Sequence, residues 1–174
     1  MNPRTRALLI GIVLGGIVAG TIDIGAACLI NGRDIPFILH SIAGGLFAKA
    51  SFAGGARTAL IGLLLQEGMG ILIAAIYVGA SCVIPPLRQR WIGAGVAYGV
   101  VIFGVMNFVV VPLSAWHRFP QFTVLKVLED GTAMLLFGLI IAWFTSRAWL
   151  AAPGQRRDEA RHPPRDLPVA GPDA

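Results

Sequence analysis

The stretch ALLIGIVLGGIVAGTIDIGAACLI, residues 7–30, decides the fold. A helix needs about 20 mainly apolar residues, rising about 1.5 Å each, to cross a hydrocarbon core, and this run has them. Its one ionisable residue is Asp23, and Asn31-Gly32-Arg33-Asp34 closes it with breakers and charge. Asn2 to Arg6 followed by an apolar run also has the outline of a signal peptide. The run is too long for an h-region, and Asp23 interrupts it just before the small residues Gly25 to Cys28.

Working outward, three more stretches have the same character: residues 58–84, 91–111 and 123–144. Pro85-Pro86, Pro112 and Ser146-Arg147 close them in turn. The chain as a whole is 56% hydrophobic and 13% charged, with a mean hydropathy of +0.74. A surface facing water would need far more charge, so the predicted solvent is lipid. The expected fold is all-α, an integral membrane four-helix bundle over residues 1–147. Residues 36–52 are apolar but short, with His40, Ser41 and Lys49 set against Leu39, Ile42 and Leu46 at helical spacing. They predict an interfacial helix between spans 1 and 2, the alternative being a fifth, marginal span. Residues 148–174 collect Pro, Gly, Arg and Asp without apolar period and predict a disordered cytoplasmic tail.

Orientation follows the basic residues flanking the spans. Arg4, Arg6, Arg88, Arg90, Arg147, Arg156 and Arg157 fall on one side of a four-span chain. Arg33, Lys49, Arg57, Arg118 and Lys126 fall on the other. The excess predicts cytoplasmic N- and C-termini in a bacterial inner (cell) membrane, whereas a fifth span would export the arginine-rich tail. The net charge of +5 comes from these flanks and the tail rather than from one folded face, so no nucleic-acid partner is expected.

Apolar helices in lipid gain nothing from simple burial against each other, so small residues must let them approach. Gly11 and Gly15, Gly16 and Gly20, and Gly95 and Gly99 are each four residues apart and mark helix-packing faces. Gly68, Gly70 and Gly93 are expected to pack too, since none follows a strand as a phosphate-binding glycine would. Contacts within one chain are the preferred reading, with a homo-oligomer as the alternative. Cys28 and Cys82 fall at opposite ends of their spans, so no disulfide is expected. Trp91, Trp116, Trp143 and Trp149 suit the membrane interface.

The candidate site is a polar layer: Asp23, Gln66, Glu67, Asn107, Lys126, Glu129 and Asp130. Counted from the span ends, these residues share one depth near the periplasmic mouth. An ionised group at mid-membrane costs about 2.5 kcal/mol or more unless it faces protein or water. Carboxylates gathered there would repel unless protonated or countered, with Lys126, Arg57, His40 and Lys49 as the cations within reach. One reading is a proton- or cation-binding vestibule, with Asp23 and Glu67 titrating. The plainer one is polar glue between helices. His40, His117 and His162 lie far apart, and no Gly-x-Ser-x-Gly, His-Glu-x-x-His or Cys-x-x-Cys occurs. No catalytic residue, metal or cofactor is therefore expected.

Three segments carry a resemblance: Gly16-Ile-Val-Ala-Gly-Thr-Ile-Asp23, Met106-Asn-Phe-Val-Val-Val-Pro-Leu113 and Leu136-Phe-Gly-Leu139. With them, residues 7–145 resemble small uncharacterised proteobacterial four-span inner-membrane proteins. More loosely, the layout resembles an inner-membrane family linked to acid resistance. Ala133 stands where many relatives of the fourth span would carry a polar group, and neither resemblance implies a catalytic residue. The expected role is structural or stress-related and non-enzymatic. The alternatives are a small proton- or cation-linked transporter using the polar layer, and an intramembrane lipid-modifying enzyme.

Overall fold

The computed structural model describes residues 1–116 and 123–151, and the described residues contain helix and no strand. Helix α1, Pro3–Asn31, starts on a Pro in its first turn, with the Asn2 side chain accepting from the Arg4 amide. It stops at Gly32, whose φ of 58° is the left-handed conformation that glycine adopts without strain. Asp34 then caps α2, Ile35–Phe47, by accepting from the Phe37 amide. A 3-10 segment, Ala48–Ala53, leads into α3, Gly55–Val83. The short α4, Pro86–Gln89, precedes α5, Trp91–Val105. A π-helical stretch, Met106–Val110, joins α5 to α6, Val111–Leu113. Pro112 explains that stretch, because its ring clashes with the carbonyl four residues back and a widened turn relieves the clash. The last helix, α7, is Val124–Ala151.

Four segments are long and apolar enough to cross a membrane: Pro3–Asn31, Ile35–Ala53, Gly55–Val83 and Trp91–Leu113. The chain is thus a multi-pass membrane protein built as a helical bundle. Ile35–Ala53, however, does not run straight. Ala48 takes a φ of 49°, which ends α2, and the 3-10 turn doubles back until the Phe52 ring lies 5.2 Å from the Phe37 ring. The two ends of the segment therefore sit close together, and α2 packs on α3. The expected boundaries of 36–52 become a helix and a return turn, because a continuous 3.6-residue pattern gives no warning of a chain reversal. The remaining long helix, α7, at 28 residues also has the length of a crossing, and it packs against both α1 and α5.

The bundle is ordered α5, α7, α1, α3, with α2 laid on α3. Its core holds mostly small or flat side chains, including Ala19, Ala74, Ala142, Tyr77 and Phe137, with Ile102 and Ile141 between them. Leu64, Ile76, Val100 and Val101 face outward and are more than half exposed. Large apolar groups outside and small ones inside invert the soluble pattern, as a lipid solvent requires. The α7 helix also runs past Arg147, the expected edge of the bundle. Trp149, read from sequence as an interfacial ring, is 4% exposed and donates to Ser81 Oγ at 3.0 Å. The remaining tail, residues 152–174, and His117 with Arg118 lie outside the described residues.

Candidate functional site

The site is built on the contact of α1 with α3. A Cβ on Gly16 would come within 2.6 Å of the Ile71 backbone, and one on Gly70 within 2.6 Å of the Gly16 carbonyl oxygen. Only paired glycines let two backbones meet so closely. One turn along, Gly20 faces the Glu67 carboxyl, where a Cβ would stand 3.1 Å from Oε2. The space that makes room for a carboxyl inside the helix contact is therefore the missing side chain of Gly20.

Two hydrogen bonds cross this contact. Gln66 Nε2 donates to Asp23 Oδ2 at 2.8 Å, and Thr21 Oγ1 donates to Glu67 Oε1 at 3.2 Å. Glu67 Oε2 is buried and has no hydrogen-bond partner. Thr21 is the residue that the sequence reading missed, since a threonine in an apolar run carries no charge to draw notice. The other packing glycines also face helices of the same chain. Gly11 meets Ala148, Gly15 meets Phe144, Gly95 meets Ala142 and Leu139, and Gly99 meets Met134 and Leu135. Gly68 and Gly93 are corrections, because nothing stands within 4 Å of either. Their helices turn those positions away from the bundle.

The rest of the expected layer separates by depth. Continuing the register in which Gly15 faces Phe144 sets Asp23 opposite Leu136. Continuing that of Gly99 with Leu135 sets Asn107 opposite Val127. Those two positions on α7 are about 13 Å apart along the axis. Equal counts from span ends misled because the helix ends are staggered, α5 following a separate short helix and α7 running on to Ala151. Glu67 is close to the midpoint of α3 and not in an outer third, because α3 begins earlier than expected, at Gly55. Asn107 lies in the π stretch and donates from Nδ2 to Phe103 O on its own helix at 2.9 Å.

Glu129 and Asp130 are half-buried, and Lys126 is exposed. Among the described residues no ion pair joins Lys126, or any other cation, to these carboxylates. His40 does not reach in either. Thr58 Oγ1 donates to the Ser51 carbonyl at 2.6 Å, so at 3.0 Å it accepts from His40 Nδ1–H and pins the return turn to α3. Cys28 and Cys82 are free thiols. No group of three or more metal-ligating side chains occurs among the described residues.

No protein-family model, curated protein or solved structure matches the chain. What the site can do therefore rests on its geometry. Two carboxyls sit in the middle of a helix contact, each taking one hydrogen bond from the neighbouring helix, and the second oxygen of Glu67 is buried without a partner.

Proposed function

We propose that the chain is a non-enzymatic, structural or stress-related protein of a bacterial inner membrane, in which the Asp23 to Glu67 layer fastens α1 to α3. The observation that carries this reading is the reciprocal pair of hydrogen bonds, Gln66 to Asp23 and Thr21 to Glu67, closing over glycine-paired backbones. Each helix supplies one donor and one carboxyl to the other. The packing glycines are likewise occupied by partners within the chain, which favours one self-contained bundle over a homo-oligomer built on the same faces. The partner implied is the bilayer itself.

A double-mutant cycle tests the fastening. Asp23→Leu, Gln66→Leu and the pair, melted in detergent, should show a coupling of about 0.6–1.7 kcal/mol, the span found for side-chain hydrogen bonds between membrane helices. Strictly additive effects would remove the basis for the structural reading.

The transporter reading retains one observation of its own, the orphaned Glu67 Oε2. A buried carboxyl oxygen without a donor is a place for a proton or a small cation. If it serves one, Glu67→Gln in reconstituted vesicles should abolish a proton flux that the unaltered chain supports under an acid jump. Acid stress is also the condition to which the looser family resemblance points. Equal flux in both proteins would remove this alternative. For an intramembrane lipid-modifying enzyme, the hydroxyl beside the carboxyls is that of Thr21, which is engaged in fastening α1 to α3.

A further inference from the structure

At the end of the bundle that carries both Met1 and Ala151, Trp149 is the centre of a second assembly. The Arg4 guanidinium carbon lies 4.3 Å from one Trp149 ring centroid and that of Arg88 lies 4.2 Å from a ring centroid of the same residue. Arg147 stands 5.4 Å from the Trp143 ring. Cations stacked on indole faces are held in place while their N–H edges stay available. Arg88 Nε is buried and has no hydrogen-bond partner. The acidic residues among the described ones are Asp23, Asp34, Glu67, Glu129 and Asp130, which lie at mid-helix or toward the α2 end. These arginines thus have no counter-charge among the described residues.

The arginines surround a space with a second feature. A pocket of about 490 Å³ is lined by Arg88, Gln89, Ser146 and Arg147 on its polar side, with Trp91, Trp143 and Trp149 as walls. Trp91 and Trp143 are also the rim of a neighbouring groove of about 570 Å³. That groove runs toward the bundle centre between α1, α5 and α7, past Val18, Ile92, Leu139 and Phe144, and has no polar lining. A cationic, hydrogen-bonding pocket at the helix ends thus shares its Trp91 and Trp143 walls with an open apolar groove that extends toward mid-bundle. This is the shape of a headgroup joined to an acyl chain.

We propose that the pocket binds an anionic phospholipid. Its phosphate would sit between the guanidinium groups of Arg88 and Arg147, and one acyl chain would lie in the groove beneath Trp91 and Trp143. Free phosphate would satisfy the arginines but leave the groove unused, and a zwitterionic lipid would fill the groove while bringing its own cation to the arginines. The combination selects a lipid with net negative charge.

The test uses the full chain purified in a neutral detergent, titrated with phosphatidylglycerol or phosphatidylcholine whose acyl chains carry bromine. Bromine quenches indole fluorescence on contact. Phosphatidylglycerol should quench at roughly ten-fold lower concentration than phosphatidylcholine. Arg147→Gln alters an exposed side chain and leaves the core intact, and should reduce that preference several-fold at an unchanged melting temperature. Leu139→Trp, which fills the groove, should weaken both lipids. Equal quenching by the two lipids would overturn the proposal, as would an unaltered preference in Arg147→Gln. Displacement of the bound lipid by equimolar inorganic phosphate would overturn it as well, by showing that the acyl chain contributes nothing.

Discussion

Gly16 and Gly25 stand nine positions apart on one helix, yet the structure gives them opposite significance. A methyl on Gly16 strikes the Ile71 backbone, which cannot swing aside as a side chain could, whereas nothing lies within 4 Å of Gly25. Gly16→Ala should therefore destabilise the bundle by about 1–3 kcal/mol, the usual cost of overpacking. Gly25→Ala should be neutral or gain up to about 1 kcal/mol from helix propensity. Circular-dichroism melts in detergent would check both, and equal effects would contradict the assigned faces. Spacing made Gly11, Gly15, Gly16, Gly20, Gly95 and Gly99 legible, because two small residues four apart leave a mark in the sequence. Gly62, which packs on the Leu39 backbone, and Gly138, which packs on the Gly95 carbonyl, have no second glycine four residues away and drew no notice. The tyrosines were also hidden. Tyr77 and Tyr98 stack at 4.8 Å and donate to the Leu87 and Ile73 carbonyls, joining elements that only the tertiary fold brings together.

Among the elements, the segment from Ile35 to Ala53 departs furthest from what hydropathy alone implies. Its length and composition fit a crossing, but the ring contact of Phe37 with Phe52 and the anchoring of Thr58 to Ser51 fold it back. The loop after α6 reinforces this, since the Ala115 amide donates to the Gly45 carbonyl and Trp116 Nε1 donates to the Ser41 carbonyl. Asp34→Cys and Gly54→Cys, each placed in a chain whose own two cysteines are replaced, should react with an impermeant maleimide from the same side of the membrane. Labelling from opposite sides would mean that the segment crosses. The long apolar helices were legible because a run of about 20 apolar residues has few other uses, although α7 runs on to Ala151, past the expected end at 144. The reversal at Ala48 was not, because an alanine gives no sign that it will adopt a positive φ.

For the molecule as a whole, the packing of α1, α3, α5 and α7 places Met1 and Ala151 at the end of the bundle that carries the stacked arginines. Reporter fusions at Ala151 and in the loop after Val83 should give cytoplasmic signals, and a fusion at Gly54 an exported one, if the basic flanks set the orientation. An exported signal at Ala151 would reverse the assigned sidedness. The polar layer was legible as residue types but not as a single plane, since depth depends on how far each helix overhangs its neighbours. One arrangement bears on biogenesis. Among the described helices, the one wedged between α1 and α5 comes after all the others in the chain. Until it leaves the insertion machinery, the faces of Gly11, Gly15, Gly95 and Gly99 have only lipid to touch. Most of the described molecule must wait in the bilayer half-assembled, and a message cut short before residue 124 would release α1, α3 and α5 with no keystone.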